Sequence, residues 1–303
     1  MKRKFLAALM AAMALTLLMS GVGQSADTLL TGANLNVGVA DDGGMVAFGP
    51  GAGFPQGITS TGPGATLPND YTLPGTPFEF YSIGVGGVFA AFGTPGATSN
   101  PGGYTTDNLS VGTNLQAHTD GPAFVVGGAS LIYHQIITFD KAESTIHVSA
   151  DIFNNNAVTL HDVVYARGMD PDQDVLSGGG FPTTNFFVPG GVEAIGPTTK
   201  MFVILKDNSV AHFGVAAISG TAGGLWSVDP YQIAAGGLIN GAVAGNPFDY
   251  AIEMALEIGD MPAFTSKQID FEYQFGVPVP PSVWLFGSGL LGLLGLRRKF
   301  LKG

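Results

Sequence analysis

Hydrophobic and polar positions alternate most regularly over residues 144–153. Ile146, Val148, Ala150 and Ile152 fall on one side, and Thr145, His147, Ser149, Asp151 and Phe153 on the other. A repeat of two is the mark of a half-buried strand. Upstream, residues 131–139 are rich in β-branched and aromatic side chains, and Asp140-Lys141-Ala142-Glu143 supplies a turn between the two runs. Downstream, Asn154-Asn155-Asn156 suits a turn with left-handed backbone, and residues 160–166 read as a third strand. The short connections predict that the three strands form an antiparallel meander.

Strands are also predicted at 35–40, at 78–92 with glycine breaks, and at 200–205, 209–215 and 268–275. Lys206-Asp207-Asn208 would close a tight hairpin between two of them. Residues 249–258 are read as a strand, with a short helix as the alternative, because Ile252, Ala255, Leu256 and Gly259 fit a period of 3.6 as well as 2. Glycine-rich stretches at 43–53, 60–76 and 93–103 read as surface loops. No period of 20–50 residues recurs, which argues against a solenoid or propeller. The expected fold class is all-β: a large antiparallel β-sandwich in one domain over residues 26–276, with a signal helix before it and a single hydrophobic helix after it.

Both ends read as targeting segments. Lys2, Arg3 and Lys4 precede an apolar run over 5–19 and a small, polar stretch over 20–26. This is the layout of a secretory signal peptide at residues 1–25. Gly23-Gln24-Ser25 favours cleavage after Ser25, and a cut after Ala26 is the neighbouring choice.

The other end, residues 277–303, runs Val277-Pro278-Val279-Pro280-Pro281, then an uncharged stretch from Val283 to Leu296, then Arg297-Arg298-Lys299. Proline cannot continue a helix or a central strand, so the hinge stays extended. The apolar stretch is about 14 residues, roughly 21 Å as a helix, against a hydrocarbon core of about 30 Å. The basic cluster would stop transfer and remain cytoplasmic, leaving the body across the membrane. Gly287, Gly289, Gly292 and Gly295 weaken a helix in water yet permit close helix contact in lipid.

This tail resembles the PEP-CTERM sorting signal of Gram-negative bacteria. The order is the same: a Pro-x-Pro element, the Val283-Trp284-Leu285-Phe286-Gly287-Ser288-Gly289 core, and a basic end. The resemblance implies that exosortase, a membrane-embedded cysteine transpeptidase, removes the tail. The body would be held briefly at the inner membrane, then delivered to the outer surface or extracellular matrix of an exopolysaccharide-producing cell. Val277, Pro278, Pro280, Trp284, Phe286, Gly287, Gly289, Arg297, Arg298 and Lys299 carry the match. The family's usual Pro-Glu-Pro is here Pro278-Val279-Pro280, so the cleavage point is open.

Composition narrows the chemistry. The 303 residues contain no cysteine, which excludes disulfides, a thiolate nucleophile and Cys-ligated metal centres. Glycine (46) and proline (19) exceed a fifth of the chain and call for many turns. All 23 acids lie between the two basic ends, where the bases are Lys141, Arg167, Lys200, Lys206 and Lys267. So acidic a body repels nucleic acid and suits divalent cations or neutral glycans.

Asp170, Asp172 and Asp174 follow a strand at every second position. Alternating carboxylates in a loop can surround one Ca²⁺, although Val175 and Phe181 stand where an EF-hand needs glycine and an acid. The alternative is an acidic loop capped by an ion pair with Arg167. Residues 158–174 also resemble a segment of β-rich exported bacterial proteins of unassigned activity.

The five histidines (His118, His134, His147, His161, His212) show no metal-ligand spacing and read as strand-face residues, with His134 and His147 able to approach one another. Glu253 and Glu257 read as solvated. Phe181, Phe186, Phe187, Trp226 and Tyr231 read first as core or edge packing, with stacking on sugars as the alternative. No nucleophile elbow or phosphate loop occurs. The expected function is a non-enzymatic surface or matrix protein associated with exopolysaccharide, with signal peptidase and exosortase as export partners and no cofactor beyond Ca²⁺. The alternatives are a secreted carbohydrate-active lyase or hydrolase on a β-sandwich, and a self-assembling adhesin.

Overall fold

The alternating runs form paired strands in a computed structural model that describes residues 27–46, 57–60, 69–72, 78–94, 103–208, 214–220 and 226–276. The signal segment 1–25 and the tail 277–303 lie outside the described residues. No described helix is long and apolar enough to cross a membrane. The chain begins with β1 (Thr28–Thr31), β2 (Leu35–Val39), β3 (Ile58–Ser60) and β4 (Asn69–Asp70). Next come β5 (Glu79–Val85), β6 (Val88–Thr94), β7 (Thr105–Asn108), β8 (Asn114–Asp120), β9 (Phe124–Val126), β10 (Ala129–Asp140) and β11 (Thr145–Asn154). Then follow β12 (Leu160–Met169), β13 (Thr183–Val188), β14 (Gly191–Ile195), β15 (Phe202–Asp207) and β16 (Val215–Gly220). The short helix α1 (Pro230–Ala234), β17 (Gly237–Ile239), β18 (Pro247–Phe248), β19 (Tyr250–Met261) and β20 (Ser266–Gly276) complete it.

Three sheets result. The largest has ten strands in the order β18-β13-β14-β15-β20-β11-β10-β8-β7, with β9 also on β10. A six-stranded sheet runs β17-β16-β19-β12-β5-β6, and β1 to β4 form a small third sheet. Every pairing is antiparallel except β16 with β17. The expected all-β class is therefore observed. The main core lies between the two large sheets, where Ile137, Ile146, Val148 and Ile152 meet Tyr165, Ile252 and Leu256. A smaller cluster (Phe78, Phe80, Val164, Ala166, Ala251, Ala255 and Ile233) covers the other face of the six-stranded sheet beneath α1.

The regular alternation at 144–153 is observed as β11, buried at every second residue, and the 140–143 turn joins it to β10. The third strand of the expected meander is not where the short connection predicts. β12 pairs with β5 and β19 in the opposite sheet. Its residues from Val163 to Met169 are all buried, because one face meets the main core and the other meets α1 and its cluster. Such two-sided burial suits a sandwich interior and not the open edge of a meander.

The crossing is secured by Asn154. Its side-chain amide donates to the carbonyls of Val158 (3.0 Å), Met261 (3.0 Å) and Pro262 (2.9 Å). None of the three asparagines is left-handed; the positive φ falls on Asp162 (φ 54°), inside β12 where its pairing with β19 shifts register.

Other expectations are corrected by the same two-sheet logic. Lys206-Asp207-Asn208 closes no hairpin, because β15 belongs to the ten-stranded sheet and β16 to the six-stranded one. The strand expected at 209–215 falls mostly on residues 209–213, which lie outside the described residues, and the described strand here begins only at Val215. Residues 250–258 are strand, as read, within β19, with Asp249 just before it. Two of the presumed surface loops hold buried residues: Met45 and Val46 in one, Tyr71 and Thr72 in the other.

Candidate functional site

The ten-stranded sheet turns one face to the core and leaves the other open. The register assembles polar residues on that open face. His134 stands between Asp120 and Asp151, and His147 between Thr138 and Glu272. Ser149 faces Asp270, and Asp151 faces Gln268. Three histidines thereby meet acids, His118 and His134 sharing Asp120 of β8 and His147 meeting Glu272 of β20. His118 Nδ1 lies 3.5 Å from Asp120 Oδ2, His134 bonds the other oxygen of Asp120, and His147 Nδ1 lies 3.4 Å from Glu272 Oε2. The expected approach of His134 and His147 does not occur, since each has an acid of its own. His161 pairs with Asp260 at 2.9 Å on the surface, and His212 is outside the described residues.

A groove of about 390 Å³ opens on this face, lined by Ile136, Thr138, His147, Ser149, Asn208 and Asp270. Its lining joins the apolar Ile136, Val148 and Phe271 to two hydroxyls, one amide, one imidazole and one carboxylate. Glu272 is nearly buried beside His147, where it also accepts from Gln274. A carboxylate 3.4 Å from Nδ1 favours the proton on that nitrogen and so favours Nε2 as the acceptor. His147 and Asp270 are diagonal neighbours on paired strands, a position about 7–8 Å apart in general. The sequence held no sign of the His147–Glu272 pair, because Glu272 comes from a strand far along the chain.

The acidic run after β12 behaves differently from the sequence reading. Asp170 and Asp172 stay together, but Asp174 turns away. It accepts from the amides of Thr198 (2.5 Å) and Thr199 (3.0 Å) and from the Thr199 hydroxyl, and so fixes the turn before β15. Asp249, just before β19, takes its place: one carboxylate oxygen from each of Asp170, Asp172 and Asp249 lies within 4.8 Å of the others. Arg167 does not cap this loop. It is buried on the opposite face of β12, with Nε 2.5 Å from Glu79 Oε1.

Burial raises the carboxyls of this region. Asp170 is held well above the usual carboxylate range by burial first, then by Asp172 and Asp249. Burial, then Asp249 and Asp70, lifts Asp172 to about 8. Asp249, half-exposed, is raised by burial and eased by a hydrogen bond from Asp170. Glu253, read from sequence as solvated, is fully buried and pushed up to about 8, with Ser219 as an opposing donor at 2.5 Å. Glu257 is exposed, as expected.

The loop aromatics divide. Trp226 and Tyr231 pack on the cluster under α1, and Phe181, Phe186 and Phe187 are exposed.

No family model matches the chain, and no curated protein matches it. Among solved structures, the chain is similar to an assigned aldose 1-epimerase of Escherichia coli K12. That match has 11% identity and a TM-score of 0.43, and covers 83% of this chain and 99% of the other. It is also similar to a galactose mutarotase-related enzyme of Lactobacillus acidophilus, at 8% identity and a TM-score of 0.41, covering 84% of this chain and 98% of the other. These are likenesses of fold. The expectation of a non-enzymatic matrix protein is corrected on the geometry: the open sheet carries histidine–carboxylate pairs beside a groove. The negative assignment for catalysis is withdrawn with it.

Proposed function

We propose that the body is an exported carbohydrate-active protein that moves protons on a sugar held in the groove of the ten-stranded sheet. The observation that carries this reading is His147, which lines the groove with Nδ1 beside the nearly buried Glu272. In this role His147 Nε2 takes a proton from a sugar hydroxyl or carbon acid. Asp270, diagonal to it, serves the opposite side of the ring. Thr138, Ser149 and Asn208 supply the hydroxyl and amide contacts that orient a polyol. Positioned acid–base pairs of this kind contribute about 10²–10⁴-fold to rate.

The test is turnover by the full-length protein. Bacterial exopolysaccharides and free aldoses are offered, and three signals are followed: new reducing ends, absorbance of unsaturated uronates, and exchange of anomers or epimers by proton NMR. His147→Gln is expected to lower kcat/KM by about 10²–10⁴-fold. It should leave unfolding within about 0.5 kcal/mol, since the side chain is 44% exposed. Silence in all three assays, or a variant with undiminished rate, removes the proposal.

The route outward is a second part of the proposal and rests on the ends of the sequence. Signal peptidase would cut at Ser25 or Ala26, and exosortase would remove the tail beyond the Pro278–Pro280 hinge. Mass spectrometry of the secreted protein is expected to find a start at Ala26 or Asp27 and an end before Trp284. A secreted form intact to Gly303 would refute the sorting reading.

A further inference from the structure

We propose that Asp170, Asp172 and Asp249 form a binding site for a divalent cation of the calcium class. The proposal is independent of the groove chemistry, because the three acids lie at the end of β12 and the start of β19, in the other sheet.

The backbone fixes two of the three residues. The amide of Asp170 donates to Phe78 O at 2.9 Å, and that of Asp172 to Tyr71 O at 2.8 Å. These bonds hold the segment after β12 against the strand that begins β5 and against the chain just after β4. Asp249 arrives from the short link between β18 and β19. One oxygen from each carboxylate then falls within 4.8 Å of the other two. Calcium binds oxygens at about 2.4 Å, so ligands across the ion are separated by at most about 4.8 Å, a limit that the three carboxylates meet. All donors are hard oxygens, and no histidine or cysteine joins them, which disfavours zinc and copper.

A second observation does not depend on the clustering. Asp170 and Asp172 are 3% and 2% exposed, yet Oδ1 of each has no hydrogen-bond donor. Oδ1 of Asp249 and Oε2 of the fully buried Glu253 are also without a donor. Buried carboxylate oxygens are almost always satisfied, and charges in such places are paired or bind metal. No described arginine, lysine or histidine forms an ion pair with any of the three aspartates. Asp174 shows the contrast within the same loop: its carboxylate is satisfied by backbone amides and a hydroxyl.

The site would tie two separate stretches of chain together, residues 170–172 and Asp249, and its occupancy should be read in stability. The full-length protein is stripped with a chelator and titrated with CaCl₂, with MgCl₂ in parallel, by calorimetry and by thermal unfolding. One equivalent of Ca²⁺ is expected to bind. At a hundredfold excess over Kd, Tm should rise by about 5–10 °C. Asp172→Asn and Asp249→Asn should each weaken Ca²⁺ at least tenfold, whereas Asp174→Asn should still bind with the wild-type Kd even where its own turn is loosened. Three results overturn the proposal: neither heat nor a Tm shift up to about 10 mM Ca²⁺, beyond the range of extracellular calcium modules; a preference for Mg²⁺; or Ca²⁺ binding unchanged in Asp249→Asn. The stripped wild-type protein carries the test by itself where a variant does not fold.

Discussion

Arg167→Met is expected to destabilise the body by about 3–5 kcal/mol, the range for removing one partner of a buried ion pair. Arg167 is 1% exposed, and Glu79, its partner, is fully buried. The guanidinium donates to Glu79 through Nε, to Gln135 through one terminal nitrogen, and to the carbonyl of Gly43 at 3.3 Å through the other. Tyr81 and Phe271 flank it, with ring centroids 5.9 and 5.6 Å away. Glu79 also accepts from the amide of Met45 at 2.6 Å and from the Tyr273 hydroxyl at 3.2 Å. One charge pair thus joins β12 and β5 to β10, β20 and the 43–45 segment. Burial raises Glu79 despite the opposing arginine, while Glu79 and the surrounding tyrosines keep Arg167 charged. Without Arg167, Glu79 must take up a proton or remain an unpaired buried charge. Arg167→Met combined with Glu79→Leu should recover much of the loss, because a buried pair is often replaceable by apolar groups of similar volume. Denaturant unfolding of the two singles and the double decides the matter. A single variant costing under about 1 kcal/mol, or a double as unstable as the sum, would contradict the account.

Glu253→Gln is expected to act in the opposite direction and only at high pH. The Glu253 carboxyl titrates at about 8 in the fold, against roughly 4.3 in an unfolded chain. Between those values the folded state binds the extra proton, so its stability falls as pH rises from about 4.3 to about 8. Glutamine removes that dependence and keeps an oxygen for the Ser219 hydroxyl. In chelator at pH 9 the variant should be more stable by about 2–4 kcal/mol, and at pH 4 the two proteins should be nearly equal. Chemical unfolding across the pH range measures this directly. An equal offset at both ends of the range would mean that the charge of Glu253 is not its cause.

What could be read in the sequence was local. β11 alternates because one face meets the core and the other meets water, and that contrast is written residue by residue. β12 could not be placed the same way. Apolar on both faces, it fits any buried sheet, and the short connection at 154–159 made adjacency to β11 the natural expectation. The acidic loop was visible as Asp170, Asp172 and Asp174, but its third member was not. Spacing gave no reason to prefer Asp249 over Asp174, and only the pairing of β12 with β19 brings Asp249 near. Arg167 and Glu79 likewise meet through the pairing of β12 with β5, 88 positions apart. The histidines were recognised as strand-face residues, while their acids became visible only through the register of β8, β10, β11 and β20.

The rims of the ten-stranded sheet bear on how crowded copies behave. One rim is β18, two residues long and opened by Pro247, whose missing N–H cannot extend a ladder. The other is β7, four polar residues that include Asp107. Short, prolyl or charged margins refuse an incoming strand. Molecules packed at high density should therefore stay discrete along these borders rather than zip into fibres.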